Sequence, residues 1–410
     1  MPAQFLNVLH GFNRNVRLYL ITSALFGFIL FGGIYPLLFN LYLLRLGFGT
    51  EFIGLASATG AMSFAVFCLP SGVLGGRWGS RFTMIVGISI AMIGYGLLSQ
   101  AELISPAFQR PFIVATYSIG VIGIALFVVN GMPYLMAITD KEERNQVFSV
   151  QAALLPFSGF FGSLLAGFLP GRLADFLNLS LDHPSVYRYT LFLGAMLLLL
   201  GVVAMMKTHE VRVESKQQTL SDAGPLPLAL IVITSLISLL HMAGEASART
   251  FFNVYMDEGL HVNLSRIGAQ QAGAQALGVP AALALPFLSA RFGNRRTIIG
   301  GTAATALFLV PMALISSWPV VGLCYMCIMA MAALRRVAFA IFHQELVPER
   351  WRMAMSGTAS MMSGLGYSAT SFGGGYLIST AGYSSLFMTG AGITGVGSLL
   401  FWIYFRKSNP

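Results

Sequence analysis

Gly72-Val-Leu-Gly-Gly-Arg77-Trp78-Gly79-Ser-Arg81 and Pro286-Phe-Leu-Ser-Ala-Arg291-Phe292-Gly293-Asn-Arg295 each close a long apolar run with the same order of arginine, aromatic residue, glycine and arginine, at an offset of 214 positions. A second pair, Phe39-Asn40-Leu-Tyr42 and Phe252-Asn253-Val-Tyr255, repeats at an offset of 213. Two separate matches at nearly one offset read as a duplicated unit that spans the whole chain.

The surroundings of these stretches name the solvent. Of 410 residues, 56% are hydrophobic and 10% charged, against roughly 25% charged in soluble domains, and the mean hydropathy is +0.75. So few charges cannot cover a soluble particle of this size, and lipid must be the main solvent. A helix crosses the hydrocarbon layer in about 20 apolar residues. Apolar runs fall at about 17–46, 50–75, 82–101, 111–138, 146–171 and 187–206, and again at 226–256, 263–289, 297–316, 319–344, 352–379 and 383–405. Between the two sets lies the longest polar stretch, Lys207 to Gly224. The expected chain is therefore an all-α polytopic membrane protein with twelve transmembrane helices. Its expected parts are an N-terminal six-helix half (1–206), a linker (207–225) and a C-terminal six-helix half (226–410).

A net charge of +9 suggests nucleic acid in a soluble protein, but here the bases sort by side of the membrane. With the N-terminus inside, sixteen lysines and arginines fall on the cytoplasmic side and five on the other, while Arg249, Arg335 and Arg336 lie inside runs. That asymmetry places both termini and the linker in the cytoplasm, and no nucleic-acid partner is expected. Residues 1–17 carry Arg14 and Arg17 but no short apolar core ending at a cleavage site, so no signal peptide is read there. Cys68, Cys324 and Cys327 all sit in apolar stretches and imply no disulfide framework.

The loop after the second run resembles the signature loop of the major facilitator superfamily, Gly-x-Leu-x-Asp-Arg-x-Gly-Arg, through Gly72, Leu74, Arg77, Gly79 and Arg81, with an echo at Leu288, Arg291, Gly293 and Arg295. These types suit a tight turn whose arginines anchor at the interface and meet helix C-termini. The family's aspartate, which helps latch its two halves, is replaced by Gly76 and Ala290. The loop Asp140-Lys-Glu142-Glu143-Arg144 and its echo Pro348-Glu349-Arg350 are also similar to the family's pattern. In run 5, Gly159, Gly162, Ala166 and Gly167 resemble its antiporter motif, with Ser163 where a proline belongs; close helix packing explains the same small residues. The arginine of the family's run-4 motif is absent, since Phe127-Val-Val-Asn130-Gly131 falls there. The resemblance implies two pseudo-symmetric halves rocking about a midplane site, in a monomeric carrier of the bacterial plasma membrane, similar to proton-coupled efflux members.

Charges inside a membrane run cost roughly 2.5–3.5 kcal/mol each unless they pair or face water. His241, Glu245, Arg249 and Asn253 recur every fourth residue in run 7, which keeps them on one broad helix face. Glu245 and Arg249 either neutralise each other or line a water-filled path in which Glu245 takes and releases a proton, tuned by Arg249 and His241. By the resemblance, run 7 lines the central cavity with runs 1, 4 and 10. The equivalents of His241, Glu245 and Arg249 in run 1 are Phe28, Gly32 and Pro36, so the N-terminal wall is expected to offer Tyr35, Asn40, Asn130 and Tyr134. Gln271 and Asn253 join the C-terminal wall. Arg335 and Arg336 are adjacent, about 100° apart on a helix, and are not expected to face one cavity together. Alignment of the loops places Arg336 opposite Asn130 and makes it the cavity candidate, with Glu345 or helix-end carbonyls as its other possible partners.

Three arginines against one carboxylate favour an anionic or amphiphilic solute. No phosphate loop, metal-spaced histidine pair or nucleophilic constellation occurs, so no enzyme activity, metal or cofactor is expected, and a gradient must supply the energy. The expected function is proton-coupled export of a small organic solute by antiport. Proton-coupled uptake of an organic anion or sugar-like solute, or a receptor that moves nothing, stand as alternatives.

Overall fold

The computed structural model describes residues 12–140, 143–210, 228–348 and 351–406, and among these residues there is no strand. The helices are α1 (Arg14–Ile29), α2 (Ile34–Arg45), α3 (Thr50–Trp78), α4 (Ser80–Ser99), α5 (Pro106–Ile138), α6 (Arg144–Leu177) and α7 (Pro184–Met206). After the linker come α8 (Leu228–Val254), α9 (Leu264–Leu283), α10 (Leu285–Phe292), α11 (Asn294–Leu314), α12 (Trp318–Leu346) and α13 (Arg352–Phe405). Ten helical segments are long and apolar enough to cross a bilayer, α9 and α10 form an eleventh bent by 45°, and the last 51-residue span divides at Gly382 (φ 80) into two. Among the described residues this makes twelve crossings, as the alternation of apolar runs requires.

The first run departs from the expected single segment. It breaks between Ile29 and Ile34, where Gly32 has a φ of 85, a conformation that a side chain with a Cβ rarely adopts. Gly79 (φ 90) and Gly293 (φ 81) occupy matching positions in the two repeated loops, each the N-cap of the helix that follows. The duplication is thus visible in backbone angles as well as in sequence. The linker residues 211–227, the loop residues 141–142 and 349–350, and the termini 1–11 and 407–410 lie outside the described residues. So do the expectations that rest on Lys141, Arg212, Lys216, Arg350 and Lys407.

The described residues pack as two compact units, one drawn from 1–38 and 66–217, the other from 39–65 and 218–410. In the first, α4 lies along α5, with Gly87 against Gly123 and Gly94 against Gly120, close approaches that a methyl group would block. Gly162 of α6 abuts the Phe28 carbonyl, and the Ser163 hydroxyl donates to the Gly32 carbonyl. Gly162 and Ser163 of run 5 therefore pack the break between α1 and α2.

In the second unit α8 packs on α13, and α12 lies against α9 and α11. Its apolar centre gathers Ile237, Phe342, Phe401 and Phe405. Outward-facing side chains such as Phe108, Phe176 and Phe287 are exposed and apolar, which suits acyl chains as solvent.

Candidate functional site

The site grows from α8, where every fourth residue from His241 to Asn253 is polar and buried or half-buried. Glu245 is 3% exposed and meets three guanidiniums. Its Oε2 accepts from Nη2 of Arg335 at 2.7 Å. Its Oε1 accepts from Nη2 of Arg336 at 3.2 Å and lies 3.4 Å from Nη2 of Arg249, one helical turn along. Arg335 is held further by the His241 carbonyl at 3.1 Å. Arg249 also approaches the Met329 sulfur at 3.7 Å.

The expectation that Arg335 and Arg336 cannot share a cavity is corrected here. Both line the same cavity and both bind Glu245, one at each carboxylate oxygen. Backbone directions about 100° apart do not decide the matter, because each long, flexible stem can curve back towards a carboxylate that lies between them. Arg336 pairs with Glu245; Glu345 instead accepts from the Asn294 amide.

The cavity beside the cluster has a volume of about 210 Å³ and belongs to the second unit alone. It lies between α8, α12 and α13, towards the end where α8 and α13 begin and α12 finishes. Arg336, its side chain 52% exposed, is the guanidinium most open to it. Ser356, Ser360 and Ser363 of α13 and Ser238 of α8 also line it. Phe339 and Met242 supply apolar surface. The His241 ring packs edge-on to Phe339, 5.5 Å between centroids, and against Gly397; neither of its nitrogens has hydrogen-bond geometry with a described residue. His343, buried and edge-on to Phe339 at 4.4 Å, is a second cavity histidine. With Glu245 ionised, three cations against one anion leave two positive charges beside a recess of mixed serine and apolar lining, an arrangement suited to an amphiphilic anion.

The other expected residues do not gather here. In the first unit, the Tyr35 hydroxyl lies 2.9 Å from the carbonyls of Tyr95 and Leu191, and the Asn130 amide donates to the carbonyls of Ser71 and Leu126. Tyr134 donates to the His209 carbonyl at 3.3 Å. In the second unit, the Asn40 amide donates to the Thr250 carbonyl at 2.6 Å, while Asn253 and Gln271 are buried away from the cavity lining. Of the loop residues, Arg81 donates to the Met206 carbonyl at 2.7 Å and the Thr208 hydroxyl at 3.1 Å, closing the C-terminal end of α7. Arg291 lies over the Phe292 ring, and Gly72 and Arg77 are exposed.

At the far end of the second unit, residues 39–65 pack against α8 and α13. Arg45 forms a bidentate pair with Asp257 at 2.7 and 2.8 Å, the Thr50 hydroxyl donates to the Gly375 carbonyl, and Ser379 donates to Glu51. Sequence reading missed this pairing and the serine face. The spacing of Ser356, Ser360 and Ser363 at i, i+4 and i+7 was the available signal for the latter.

Comparison with known proteins agrees with the fold. The chain has a TM-score of 0.76 to the crystal structure of a D-xylose-proton symporter, at 16% identity, covering 95% of this chain and 97% of that one. It has a TM-score of 0.74 to a crystal structure of a point mutant of the nucleoside transporter NupG, at 15% identity, covering 96% of this chain and 100% of that one. A curated relative, the uncharacterized MFS-type transporter YuxJ of Bacillus subtilis (strain 168), is 26% identical over 217 residues. That match spans about half of each chain, 51% of this one and 54% of the relative. The model of the Major Facilitator Superfamily matches over residues 18–238 and 234–410. Twelve crossings in a duplicated architecture, and a family match that runs through both copies, show that this chain belongs to the Major Facilitator Superfamily.

Proposed function

We propose that this secondary transporter moves a small anionic or amphiphilic organic solute with proton coupling, binding it in the cavity beside Arg336 and using Glu245 as the proton-carrying group. The observation that carries the reading is the charge cluster: one buried carboxylate under three guanidiniums, beside a recess whose wall mixes serine hydroxyls with apolar surface. Charges in a membrane interior persist where they pair or meet water and cargo; this cluster is paired and borders a cavity. His241 and Arg249 flank Glu245 and set its surroundings.

In this proposal the protein resides in a bacterial plasma membrane with both termini cytoplasmic, as the distribution of basic residues supports. The cavity then faces the cytoplasm, while the contacts of residues 39–65 with α8 and α13 close the opposite side. Alternating access breaks those contacts and remakes them in each cycle. Proton antiport through Glu245 is the expectation from the charge stripe, and the outward direction leans on run 5, where Gly162 and Ser163 pack the break between α1 and α2. The solved neighbours include a xylose-proton symporter and a nucleoside transporter, which supports proton-coupled uptake as the second reading.

The test is thermal stabilisation of the purified protein by a panel of small anions, cations and neutral solutes, followed by liposome flux of the stabilising solute under pH gradients of either polarity. A ligand that binds only the folded form raises its apparent stability. The expected result is stabilisation by an anion, lost in Arg336→Ala, and flux stimulated by one polarity. Stabilisation by cations alone, or flux indifferent to both gradients, contradicts the proposal.

A further inference from the structure

α7 runs from Pro184 to Met206, where the linker begins, so its first turn lies at the end of the first unit opposite the linker. α4 packs along α7, and a short 3-10 turn, Gln100–Leu103, follows α4 beside that first turn. Half-buried Glu102 of the 3-10 turn meets α7 at both oxygens. Its Oε1 accepts from the Ser185 hydroxyl at 2.6 Å, and its Oε2 lies 3.2 Å from Nη1 of Arg188. His183 is the N-cap of α7, and its Nδ1 accepts from the Ser185 backbone N–H at 3.3 Å. The same Nδ1 lies 3.9 Å from Oε1 of Glu102.

One nitrogen thus faces two partners that need it in opposite protonation states. To accept from Ser185, Nδ1 must carry a lone pair, so the ring is neutral with its proton on Nε2. To donate to Glu102, Nδ1 must carry a proton. An imidazolium has no acceptor left, so protonation abolishes the cap. The helix dipole also disfavours a cation at this end unless an anion answers it, and Glu102 is that anion.

We propose that His183 is a pH-operated clasp: when neutral it caps α7, and when protonated it lets go of the Ser185 amide and pairs with Glu102, tying the end of α4 to α7.

The exchange of partners is short. Closing 3.9 Å to a charge-assisted hydrogen bond of about 2.8 Å takes roughly 1 Å of ring movement. Oε1 can hold the Ser185 hydroxyl and the imidazolium together, since a carboxylate oxygen offers two lone pairs. The His183 side chain is 46% exposed, so it meets bulk water and follows the pH of that compartment. The charged groups around it are Glu102 on the 3-10 turn, Arg188 on its own helix and Asp182 beside it in the chain, with Arg110 of α5 at the same end of the unit. Arg188, braced by the Tyr189 hydroxyl at 2.9 Å, opposes a second cation, and the shared carboxylate offsets it. Carboxylates, phenols and guanidiniums ordinarily hold their charge between about pH 5 and 8, whereas histidine does not. In the orientation proposed above, on which only the side of action rests, this end faces away from the cytoplasm. The clasp then transmits the outside pH to the packing of α4 on α7.

Amide hydrogen exchange of the purified full chain at about pH 5 and about pH 8, corrected for intrinsic rates, reads both partners because they move in opposite directions. On acidification the Ser185 amide should lose protection by about fivefold, the typical worth of an N-cap. Amides of residues 100–104 should gain about two- to threefold, as a partly exposed ion pair provides. His183→Asn, which caps without titrating, should abolish both changes and keep Ser185 protected. Glu102→Gln should keep the loss at Ser185 and abolish the gain in the turn. Ser185 protection that does not fall with acid in the wild type, or a turn that gains nothing, overturns the proposal. So does a gain that survives Glu102→Gln, or any of these changes persisting in His183→Asn. In sealed membrane vesicles of one orientation, acid on the outer face alone should produce both changes; the same changes from the cytoplasmic face alone leave the clasp standing and overturn the orientation.

Discussion

Glu245 and its three arginines differ in what their removal leaves behind. Without the carboxylate, three guanidiniums remain in a largely buried site with no anion, and breaking such a buried arrangement costs about 3–5 kcal/mol. Without Arg336, Glu245 keeps Arg335 and Arg249, and a side chain already 52% exposed loses an interaction worth about 0–1 kcal/mol. Thermal unfolding in detergent should therefore rank Glu245→Ala far below wild type and Arg336→Ala close to it; the opposite order contradicts the assigned geometry. Much of this site was legible in the sequence. The four-residue spacing of His241, Glu245, Arg249 and Asn253 placed the stripe, and two further arginines inside a run had to be explained. The shared grip of Arg335 and Arg336 on one carboxylate was not legible, because backbone angle alone says nothing about how a long side chain bends. The serines were periodic but uncharged, and hydropathy passes over them.

Elements end and bend at glycines in this chain, and the repeated loop shows why. Gly79 and Gly293 hold φ of 90 and 81 with extended ψ of 141 and 155 as the N-caps of α4 and α11, a region that costs other residues about 1–3 kcal/mol. An added Cβ at Gly79 would meet only the carboxylate end of Glu210, an exposed side chain that can swing aside, and Gly293 faces open space. Gly79→Ala and Gly293→Ala should therefore lower the unfolding midpoint to a similar degree, by the cost of the backbone angle alone; a much larger loss at Gly79 would contradict this. The glycines of these loops stood out in the sequence through their repetition at offset 214. The break between α1 and α2 did not, because apolar residues run through it and hydropathy carries no record of φ. The packing role of Ser163 was equally hidden, as it depends on where the Gly32 carbonyl is left by that break.

At the scale of the whole molecule the sequence was most legible. Twelve runs, a linker and two matched loops imply a duplicated bundle on their own, and the family model matches over both copies. What the repeat could not show is how the copies diverged. The second unit carries the charge cluster and its cavity, whereas Tyr35 and Asn130 of the first direct their polar atoms to backbone carbonyls. Among the described residues, buried charge is distributed asymmetrically on a symmetric frame, and the asymmetry centres on one carboxylate. The most direct measurement compares wild type with Glu245→Gln in proteoliposomes, following whichever labelled solute stabilises the purified protein, both in counterflow without a gradient and in accumulation under an imposed pH gradient. If Glu245 couples proton to solute, the variant keeps counterflow and loses gradient-driven accumulation; accumulation equal to wild type contradicts that role.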